Sequence, residues 1–231
     1  MSAYDQIARI YDPWSVSVVE DVRFYVDLAK EAGRVVELGV GTGRIAVPTA
    51  AAGIPVIGVD SSRGMLDVCA RRAALAGVTL DLRVGDLREP PVTERVPLVI
   101  CPFRSLLHMH TDEDRLGVLG AAYDLLLPGG RFVFDVFTPD ADDIAQTQGR
   151  WLEREPGIFE HAVWDESART LTLTVRGDER ETTMALAWLS PDEWRALLER
   201  AGFEIEACYG WFDRTPYKGR EDTVWVSRRA D

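Results

Sequence analysis

The chain has 231 residues, a length that suits one α/β domain with a sizeable core and is too short for two large domains. Hydrophobic residues make up 46% and charged residues 28% of the sequence, an ordinary globular composition in which no apolar run is long enough to cross a bilayer. The net charge of −12 argues against a nucleic-acid partner, because binding to a phosphate backbone requires a basic surface.

Residues 1–30 predict a helical segment. Its start has neither the basic residues nor the apolar run of a signal peptide, so a cytoplasmic location is expected. Aromatic and apolar residues then recur at helical spacing, and Pro13 interrupts the pattern. We therefore predict two short helices joined near Asp12-Pro13-Trp14. The residues at helical spacing are Tyr4, Ile7, Tyr11, Val18, Val22, Tyr25, Val26 and Ala29.

From residue 31 to residue 138, short apolar runs alternate with helical patterns. The runs predict strands at 35–38, 56–60, 80–84, 98–101 and 131–137, and the helices between them are predicted at 45–52, 65–76 and 112–127. Buried strands that alternate with helices indicate a parallel sheet covered on both faces, with right-handed crossovers. This part of the chain is the predicted α/β core.

After residue 139 apolar and polar residues alternate, which predicts half-exposed antiparallel strands at 159–164, 171–175 and 184–189. A helix then begins with Ser190 as its N-cap and Pro191 at its first position, and it ends at Gly202. Two closing strands are predicted at about 203–212 and 223–227. We interpret 150–189 as an insertion and 190–231 as a closing helix and hairpin of one domain that spans 1–231.

The strongest motif is the stretch Glu37-Leu38-Gly39-Val40-Gly41-Thr42-Gly43, directly after the first predicted strand. Glycines let the chain turn sharply and bring backbone N–H groups against a ligand. A dinucleotide-binding loop has the spacing GxGxxG, which would need a glycine in place of Arg44. Glu37 also puts a carboxylate close to where a pyrophosphate would sit. The loop therefore favours a ligand with an ammonium group over a nicotinamide dinucleotide.

Two further acids follow the next two strands. Asp60 ends the second strand, where an acid accepts hydrogen bonds from ribose hydroxyls. Asp86 lies just beyond the third strand and can accept a hydrogen bond from an adenine amino group, while Met65 and Leu87 are placed to sandwich the ring. One such acid is often only a helix cap. Together with Glu37 and the glycines, these acids indicate a cofactor that contains a nucleoside.

These motifs, with Leu127-Pro128-Gly129-Gly130 before the fifth strand, resemble the class I S-adenosylmethionine-dependent methyltransferases. The opening motif, Tyr4-Asp5 and Tyr11-Asp12-Pro13-Trp14, is similar to the branch that methylates small-molecule amines, whose N-terminal helices fold over the cofactor. The resemblance covers most of the chain. It implies a Rossmann-like α/β fold with a seven-stranded sheet of order 3-2-1-4-5-7-6, in which strand 7 is antiparallel, and with helices on both faces. It further implies an N-terminal helical lid over 1–30 and an antiparallel β insertion.

By this resemblance S-adenosylmethionine is the expected cofactor. Glu37 and the glycines would hold its methionine part, Asp60 its ribose, and Asp86 with Leu87 its adenine, while residues 101–104 would line the sulfonium end. Tyr11 is expected to reach the methionine carboxylate. The expected cofactor contacts are Tyr11, Glu37, Gly39, Gly41, Gly43, Asp60, Met65, Asp86, Leu87, Cys101 and Phe103.

Methyl transfer from a sulfonium is an in-line displacement, so positioning supplies much of the acceleration. His108 is our candidate general base, and a plain helix-face histidine is the alternative. Enzymes that methylate nucleic-acid bases begin the motif after the fourth strand with asparagine or aspartate. Residues 101–103 begin with a cysteine instead, which offers no side-chain oxygen. The stretch 98–101 lacks the carboxylate of metal-dependent, catechol-type relatives.

Four polar residues, His108, His110, Asp112 and Asp114, fall close together in the sequence and could suggest a metal site. They open a predicted helix, so a solvated helix start is the preferred interpretation and no metal is expected.

Substrate contacts are expected from the N-terminal helices, the insertion and the closing hairpin, where aromatic faces suit a cationic amine. Tryptophans on half-buried strands also often serve only to pack a core. The candidates are Trp14, Arg104, His161, Trp164, Tyr209, Trp211 and Phe212. The favoured function is methyl transfer to a small-molecule amine, with hydroxyl or carboxylate acceptors possible. A non-catalytic subunit that binds S-adenosylmethionine and a nicotinamide-dependent oxidoreductase are the alternatives.

Overall fold

The structure is a computed structural model that describes residues 2–15, 19–219 and 221–230. Val18, which the sequence placed on a helix, lies outside this range. Within it, no helix has the length and apolar character needed to span a membrane.

Helices and short strands alternate along the chain. The helices are α1 (Tyr4–Ile7), α2 (Tyr11–Trp14), α3 (Glu20–Ala32), α4 (Ala46–Ala51), α5 (Arg63–Leu75), α6 (Asp112–Leu125), α7 (Ala141–Thr147) and α8 (Pro191–Arg200), with a 3₁₀ turn at Ser105–His108. The strands are β1 (Val35–Leu38), β2 (Val56–Asp60), β3 (Asp81–Val84), β4 (Val96–Cys101), β5 (Leu126–Phe137), β6 (Trp151–Glu155), β7 (Ile158–Asp165), β8 (Thr170–Gly177), β9 (Arg180–Ala187), β10 (Phe203–Tyr209) and β11 (Asp222–Arg229).

The central sheet has seven strands in the order β3-β2-β1-β4-β5-β11-β10. Strands β1 to β5 pair in parallel, while β11 runs antiparallel to β5 and β10 antiparallel to β11. Numbered within this sheet alone, the order is 3-2-1-4-5-7-6 with an antiparallel seventh strand, so the expected Rossmann-like topology is confirmed. Strands β6 to β9 form a second, antiparallel sheet.

Both faces of the central sheet are covered, which explains why its parallel strands are apolar on both sides. Alternate strand residues pack against α3, α4 and α5 on one face and against α6 and α8 on the other. The core on the α6 and α8 side continues into the second sheet, because Ala162, Leu171 and Leu186 belong to the same buried cluster as Phe134. The inserted sheet is therefore anchored beside the carboxyl ends of β4 and β5.

Several boundaries differ from the sequence-based expectation. Pro13 does not join two helices but lies within α2, where a first-turn residue needs no backbone donor. Helix α6 ends at Leu125, and the Pro128-Gly129-Gly130 stretch is already part of β5. Elements α7 and β6 are additional, since their mostly polar sequences gave no periodic signal. Strand β9 begins at Arg180, earlier than expected, because its solvent-facing residues are polar.

The N-terminal helices lie across the carboxyl ends of the central strands. Ile7 and Ile10 pack on the inserted sheet against Ile158 and Val175. The Asp5 carboxylate accepts hydrogen bonds from the Ser62 hydroxyl and the Gly64 amide at the start of α5, at 2.7 and 3.0 Å. A carboxylate at a helix N-terminus is stabilised by the helix dipole, so these bonds hold α1 over the glycine loop.

Candidate active site

Two cavities adjoin each other under the N-terminal helices. The glycine-loop cavity, ≈ 380 Å³, is lined by Gly39, Gly41, Asp60, Met65 and Leu87 among others. The insertion cavity, ≈ 490 Å³, lies between α2, the turn after β4 and the inner face of the second sheet. The residues that line both cavities are Tyr4, Tyr11, Phe103, His108 and Met184. A ligand in one cavity would therefore contact a ligand in the other beside these five residues, which we call the shared wall.

The glycine loop turns sharply after β1. The amides of Gly39 and Val40 both donate to the Val59 carbonyl, at 2.8 and 3.0 Å. Gly39 has a φ of +75°, and a Cβ there would lie 2.6 Å from the Ser105 hydroxyl oxygen. Gly43 has a different role, because a Cβ at that position would lie 2.5 Å from the Cys69 sulfur on α5. Gly39 therefore keeps the cavity open, while Gly43 allows the loop to pack on α5 and lines neither cavity.

Gly39→Ala is expected to weaken cofactor binding by about tenfold or more, equivalent to at least about 1.4 kcal/mol. Gly33→Ala is a matched control, because Gly33 has a φ of +79° but no atom within 4 Å of the position that a Cβ would take. Both changes strain the backbone by about 1–2 kcal/mol, so both lower the melting temperature. Only Gly39→Ala should alter the Kd measured by calorimetry, and equal affinities in the two variants would contradict this role.

Glu37 lies behind the glycine loop, 2% exposed, and does not form the wall of either cavity. Its Oε2 has no hydrogen-bond partner in the described part of the chain. Burial raises the pKa of Glu37 well above the usual value, with Asp21 and Asp60 adding to the rise and Arg44 opposing it. A buried carboxylate with an unsatisfied oxygen suits a ligand that brings a positive charge, as the ammonium of S-adenosylmethionine does.

Asp60 fastens the loop and also lines the glycine-loop cavity. Its carboxylate accepts hydrogen bonds from the amides of Gly41 and Ser62, at 2.9 and 2.8 Å. Burial raises the pKa of Asp60, and these backbone donors oppose the rise. Each carboxylate oxygen retains a second lone pair, so Asp60 can still accept hydrogen bonds from a ribose.

Met65, Asp86 and Leu87, the residues that we expect around an adenine, all line the glycine-loop cavity. The Asp86 carboxylate is already engaged by Arg88, whose guanidinium donates to it at 2.6 Å. That hydrogen bond is the main reason why the pKa of Asp86 is lowered. Asp86 is thus held as a charged acceptor at the rim. Cys101, by contrast, is buried in the core of β4 and lines neither cavity.

The shared wall is uncharged at neutral pH. The Tyr4 hydroxyl and His108 Nε2 are hydrogen-bonded at 2.8 Å. Burial lowers the pKa of His108 to about 4, with His110 adding to the effect, and burial raises the pKa of Tyr4 and Tyr11. Tyr4 was not among the expected site residues, although it stands in the opening motif that indicated a lid. Its position between the cavities could be seen only once α1 was placed over the loop.

Phe103 and Arg104 form the turn after β4. The Phe103 ring lies between the Arg44 guanidinium, 4.5 Å from the ring centroid, and the edge of Tyr11. The Arg104 side chain lines the insertion cavity, where its guanidinium stacks on Phe137 and pairs with Asp222 at 2.9 Å. Phe103 thus lines both cavities, whereas Arg104 lines only the insertion cavity.

Trp14 and Trp164 also line the insertion cavity. Trp14 Nε1 donates to Glu160 at 2.8 Å, and Arg154 pairs with the other oxygen of the same carboxylate at 2.6 Å. Trp164 Nε1 donates to the Thr147 hydroxyl at 2.7 Å. Both indoles are therefore fixed by hydrogen bonds and present rigid aromatic surfaces.

The other substrate candidates lie elsewhere. His161 alternates with the inward-facing Glu160 and Ala162, so it occupies the outer face of β7 and stacks on Trp151 at 5.0 Å. Tyr209, Trp211 and Phe212 pack around Phe24 on α3, with Phe212 5.8 Å from it between ring centroids. The closing hairpin packs against α3 in the core of the central sheet, and these side chains line neither cavity.

The four residues considered for a metal do not converge. Asp112 pairs with Arg115, Asp114 with Arg88, and His110 hydrogen-bonds to the Ala185 carbonyl. Across the described ranges, one other group has a ligand-like spacing: the carboxylates of Asp140, Asp143 and Glu221 lie within 4.8 Å of one another. Two of the three, Asp143 and Glu221, line the insertion cavity.

Comparison with known proteins agrees with this geometry. Residues 35–130 match the family model described as a methyltransferase domain. The CcbJ methyltransferase from Streptomyces caelestis superimposes with a TM-score of 0.85 and 28% identity, covering 100% of this chain and 99% of that one. The chain belongs to the class I S-adenosylmethionine-dependent methyltransferases. It is therefore an enzyme, and S-adenosylmethionine is its cofactor.

Other methyltransferases are similar over much of the chain. The ubiquinone biosynthesis O-methyltransferase of Dinoroseobacter shibae is 30% identical over 74% of this chain and 60% of its own length. CalS10, an amino pentose methyltransferase from Micromonospora echinaspora with S-adenosylmethionine bound, has the same fold, with a TM-score of 0.67 and 20% identity over 100% of this chain and 98% of its own. These comparisons support methyl transfer to small molecules as the activity of this chain.

Proposed function

We propose that this methyltransferase transfers the methyl group of S-adenosylmethionine to an amine nitrogen of a small molecule bound in the insertion cavity. The observation that carries the proposal is the charge of that cavity. Its carboxylates outnumber its guanidinium groups, because Asp143, Glu155, Glu160 and Glu221 face only Arg104 and Arg154. An excess of negative charge in a half-enclosed cavity with low-dielectric walls favours a cationic guest.

Both arginines of the insertion cavity are already neutralised. Arg104 pairs with Asp222 and Arg154 pairs with Glu160. Within the described residues, Asp143 and Glu221 have no ion-pair partner, so their charge is available to a ligand. The indole faces on the walls add a further attraction for a cation.

An amine must present a lone pair to the methyl carbon, and the shared wall favours that form. When bound, the cofactor supplies a methyl group on a positively charged sulfur. After the transfer, that sulfur is a neutral thioether. Tyr4, Tyr11 and Phe103 exclude water and carry no charge that would stabilise an ammonium, so burial there favours the free base. Burial keeps His108 neutral above about pH 4, and its Nε2 is hydrogen-bonded to the Tyr4 hydroxyl, so His108 would take a proton from the attacking nitrogen through that hydroxyl.

His108→Ala is expected to lower kcat by about 100-fold or more, within the range for loss of a general base, while cofactor affinity stays close to wild type. The contribution of His108 to the acid limb of kcat/KM is expected near pH 4, not near the usual histidine value, because only the unprotonated imidazole acts as a base and burial lowers its pKa in the free enzyme to about 4. His161→Ala is the matched control, because His161 lies on the outer face of β7 and lines neither cavity. A wild-type kcat in His108→Ala would leave His108 with a packing role only.

The acceptor itself is tested by incubating the enzyme and S-adenosylmethionine with matched primary and secondary amines, phenols and carboxylates, with release of S-adenosylhomocysteine as the readout. We expect turnover with amines, and a rise in KM when Asp143→Asn and Glu221→Gln are combined, since both residues line the insertion cavity. Turnover with phenols or carboxylates alone would refute an amine acceptor. Consumption of no acceptor by a chain that binds the cofactor would favour a non-catalytic partner subunit.

A further inference from the structure

Asp135 is a lone carboxylate in the apolar strand β5, between Phe134 and Val136, and it is 6% exposed. It lines neither cavity. Its Oδ1 accepts hydrogen bonds from the Tyr25 hydroxyl at 2.6 Å and from the Phe103 amide at 2.9 Å. Its Oδ2 accepts one from the Arg104 amide at 3.1 Å. A buried carboxylate is retained in a core only when such donors compensate for the loss of water.

The turn that Asp135 binds has an unusual backbone. Phe103 and Arg104 are consecutive non-glycine residues with φ of +55° and +62°. Residues with a Cβ disfavour this left-handed region, so the surrounding structure must hold them there. Two successive backbone N–H groups that converge on one anion provide that restraint. The carboxylate of Asp135 therefore stabilises a conformation that the sequence of the turn would not adopt by itself.

The conformation of this turn decides the shape of the active site. Phe103 belongs to the wall shared by the two cavities, and Arg104 reaches into the insertion cavity to pair with Asp222. If the turn relaxed to negative φ, the two side chains would leave these positions. The direction in which an acceptor faces the methyl group would change with them.

Resting on the proposed function, we propose that Asp135 is a positioning residue for methyl transfer, which acts through the Phe103–Arg104 turn. It touches neither ligand. Its two oxygens are both required, because the two amides of the turn bind different oxygens. An acceptor placed about 1 Å away from its proper position can lose about 100-fold in rate, so a residue outside both cavities can control kcat.

Asp135→Asn tests this role with little change in volume. The amide oxygen can replace Oδ1, whereas the NH2 group must face the Arg104 N–H as a second donor. We expect kcat to fall by about 10- to 100-fold while the Kd for S-adenosylmethionine, measured by calorimetry with stoichiometry, changes much less. A variant damaged only in its core would instead lose binding stoichiometry along with kcat.

Tyr25→Phe is the matched control. It removes the third donor to Asp135 from α3 but leaves both bonds to the turn, so kcat should stay near the wild-type value. An unchanged kcat in Asp135→Asn, or an equal loss in Tyr25→Phe, would overturn the proposal. In the background of Arg104→Gly, where a glycine adopts positive φ freely, the loss caused by Asp135→Asn should shrink.

Hydrogen exchange gives a measure that needs no acceptor. The Arg104 amide should be protected in the wild type and exchange faster in Asp135→Asn, while it stays protected in Tyr25→Phe. Unaltered protection in Asp135→Asn would refute the restraint on the turn. If the wild-type enzyme methylates no amine but this difference in exchange is present, the proposed acceptor is at fault and the placement of the turn by Asp135 still holds.

Discussion

Glu37→Gln is expected to weaken binding of S-adenosylmethionine by about 10- to 100-fold, the effect of losing an interaction with a charged group worth about 1.5–3 kcal/mol. The same change is expected to stabilise the ligand-free enzyme at neutral pH. Both effects have one cause: the wild-type carboxylate is 2% exposed, and its Oε2 has no hydrogen-bond partner among the described residues. Glutamine has nearly the same shape and carries no charge to bury.

The effect of Glu37 on stability has a definite sign with pH. Its pKa in the folded enzyme is raised above that of an unfolded chain, so over the interval between the two values the folded state binds more protons. The free energy of unfolding therefore falls as the pH rises from about 4.3 toward the folded-state pKa. Glu37→Gln lacks this decline, and its stability advantage over the wild type should grow across the same interval.

Urea unfolding at pH 5 and pH 8, with cofactor titration by calorimetry, measures both effects. Glu199→Gln removes the same charge from an exposed position on α8 and should change neither the affinity nor the pH slope. If Glu37→Gln binds the cofactor as well as this control does, the carboxylate plays no part in recognising the ammonium. If the free energy of unfolding changes with pH in Glu37→Gln as it does in the wild type, Glu37 is not the group that titrates.

The parallel core could be predicted from the sequence because its signals are local. Runs such as 35–38 and 56–60 are apolar throughout, and glycines and acids mark their carboxyl ends. In a parallel sheet those ends share one edge, so Gly39, Gly41 and Asp60 had to lie close together whatever the details of packing. The structure places all three on the wall of one cavity.

The residues that line the insertion cavity could be predicted only in part. Their placement depends on the register of the inserted strands and on contacts between distant segments of the chain. Glu160 and His161 are neighbours, and a shift of one residue decides which of them faces the cavity. The alternation of apolar and polar residues predicted strand β7 but did not specify which face would meet the lid. Asp135 was overlooked as a polar interruption of an apolar strand, although a single carboxylate in such a run is itself a signal of a buried hydrogen-bond network.

Arg44→Ala is expected to lower the free energy of unfolding by about 3–5 kcal/mol, the usual result of removing one partner from a buried ion pair. The Arg44 guanidinium binds both carboxylate oxygens of Asp21 on α3, at 2.5 and 2.6 Å. Their side chains are 16% and 0% exposed, so alanine would leave the Asp21 charge without water or a counter-ion. Arg72→Ala is the matched control: its pair with Asp12 is 36% and 37% exposed, and its loss should cost about 1 kcal/mol or less.

The double variant Asp21→Asn with Arg44→Met separates the burial of charge from the packing of the side chain. If the loss in Arg44→Ala comes from the uncompensated Asp21 carboxylate, the double variant should recover much of the stability in urea unfolding, because no buried charge remains. It should nevertheless stay deficient in methyl transfer, since the guanidinium over the Phe103 ring is absent. An equally unstable double variant would mean that Arg44 acts mainly through its packing. The residue that replaces the last glycine of a dinucleotide loop thus serves in this enzyme to tie that loop to α3 and to the wall between the two cavities.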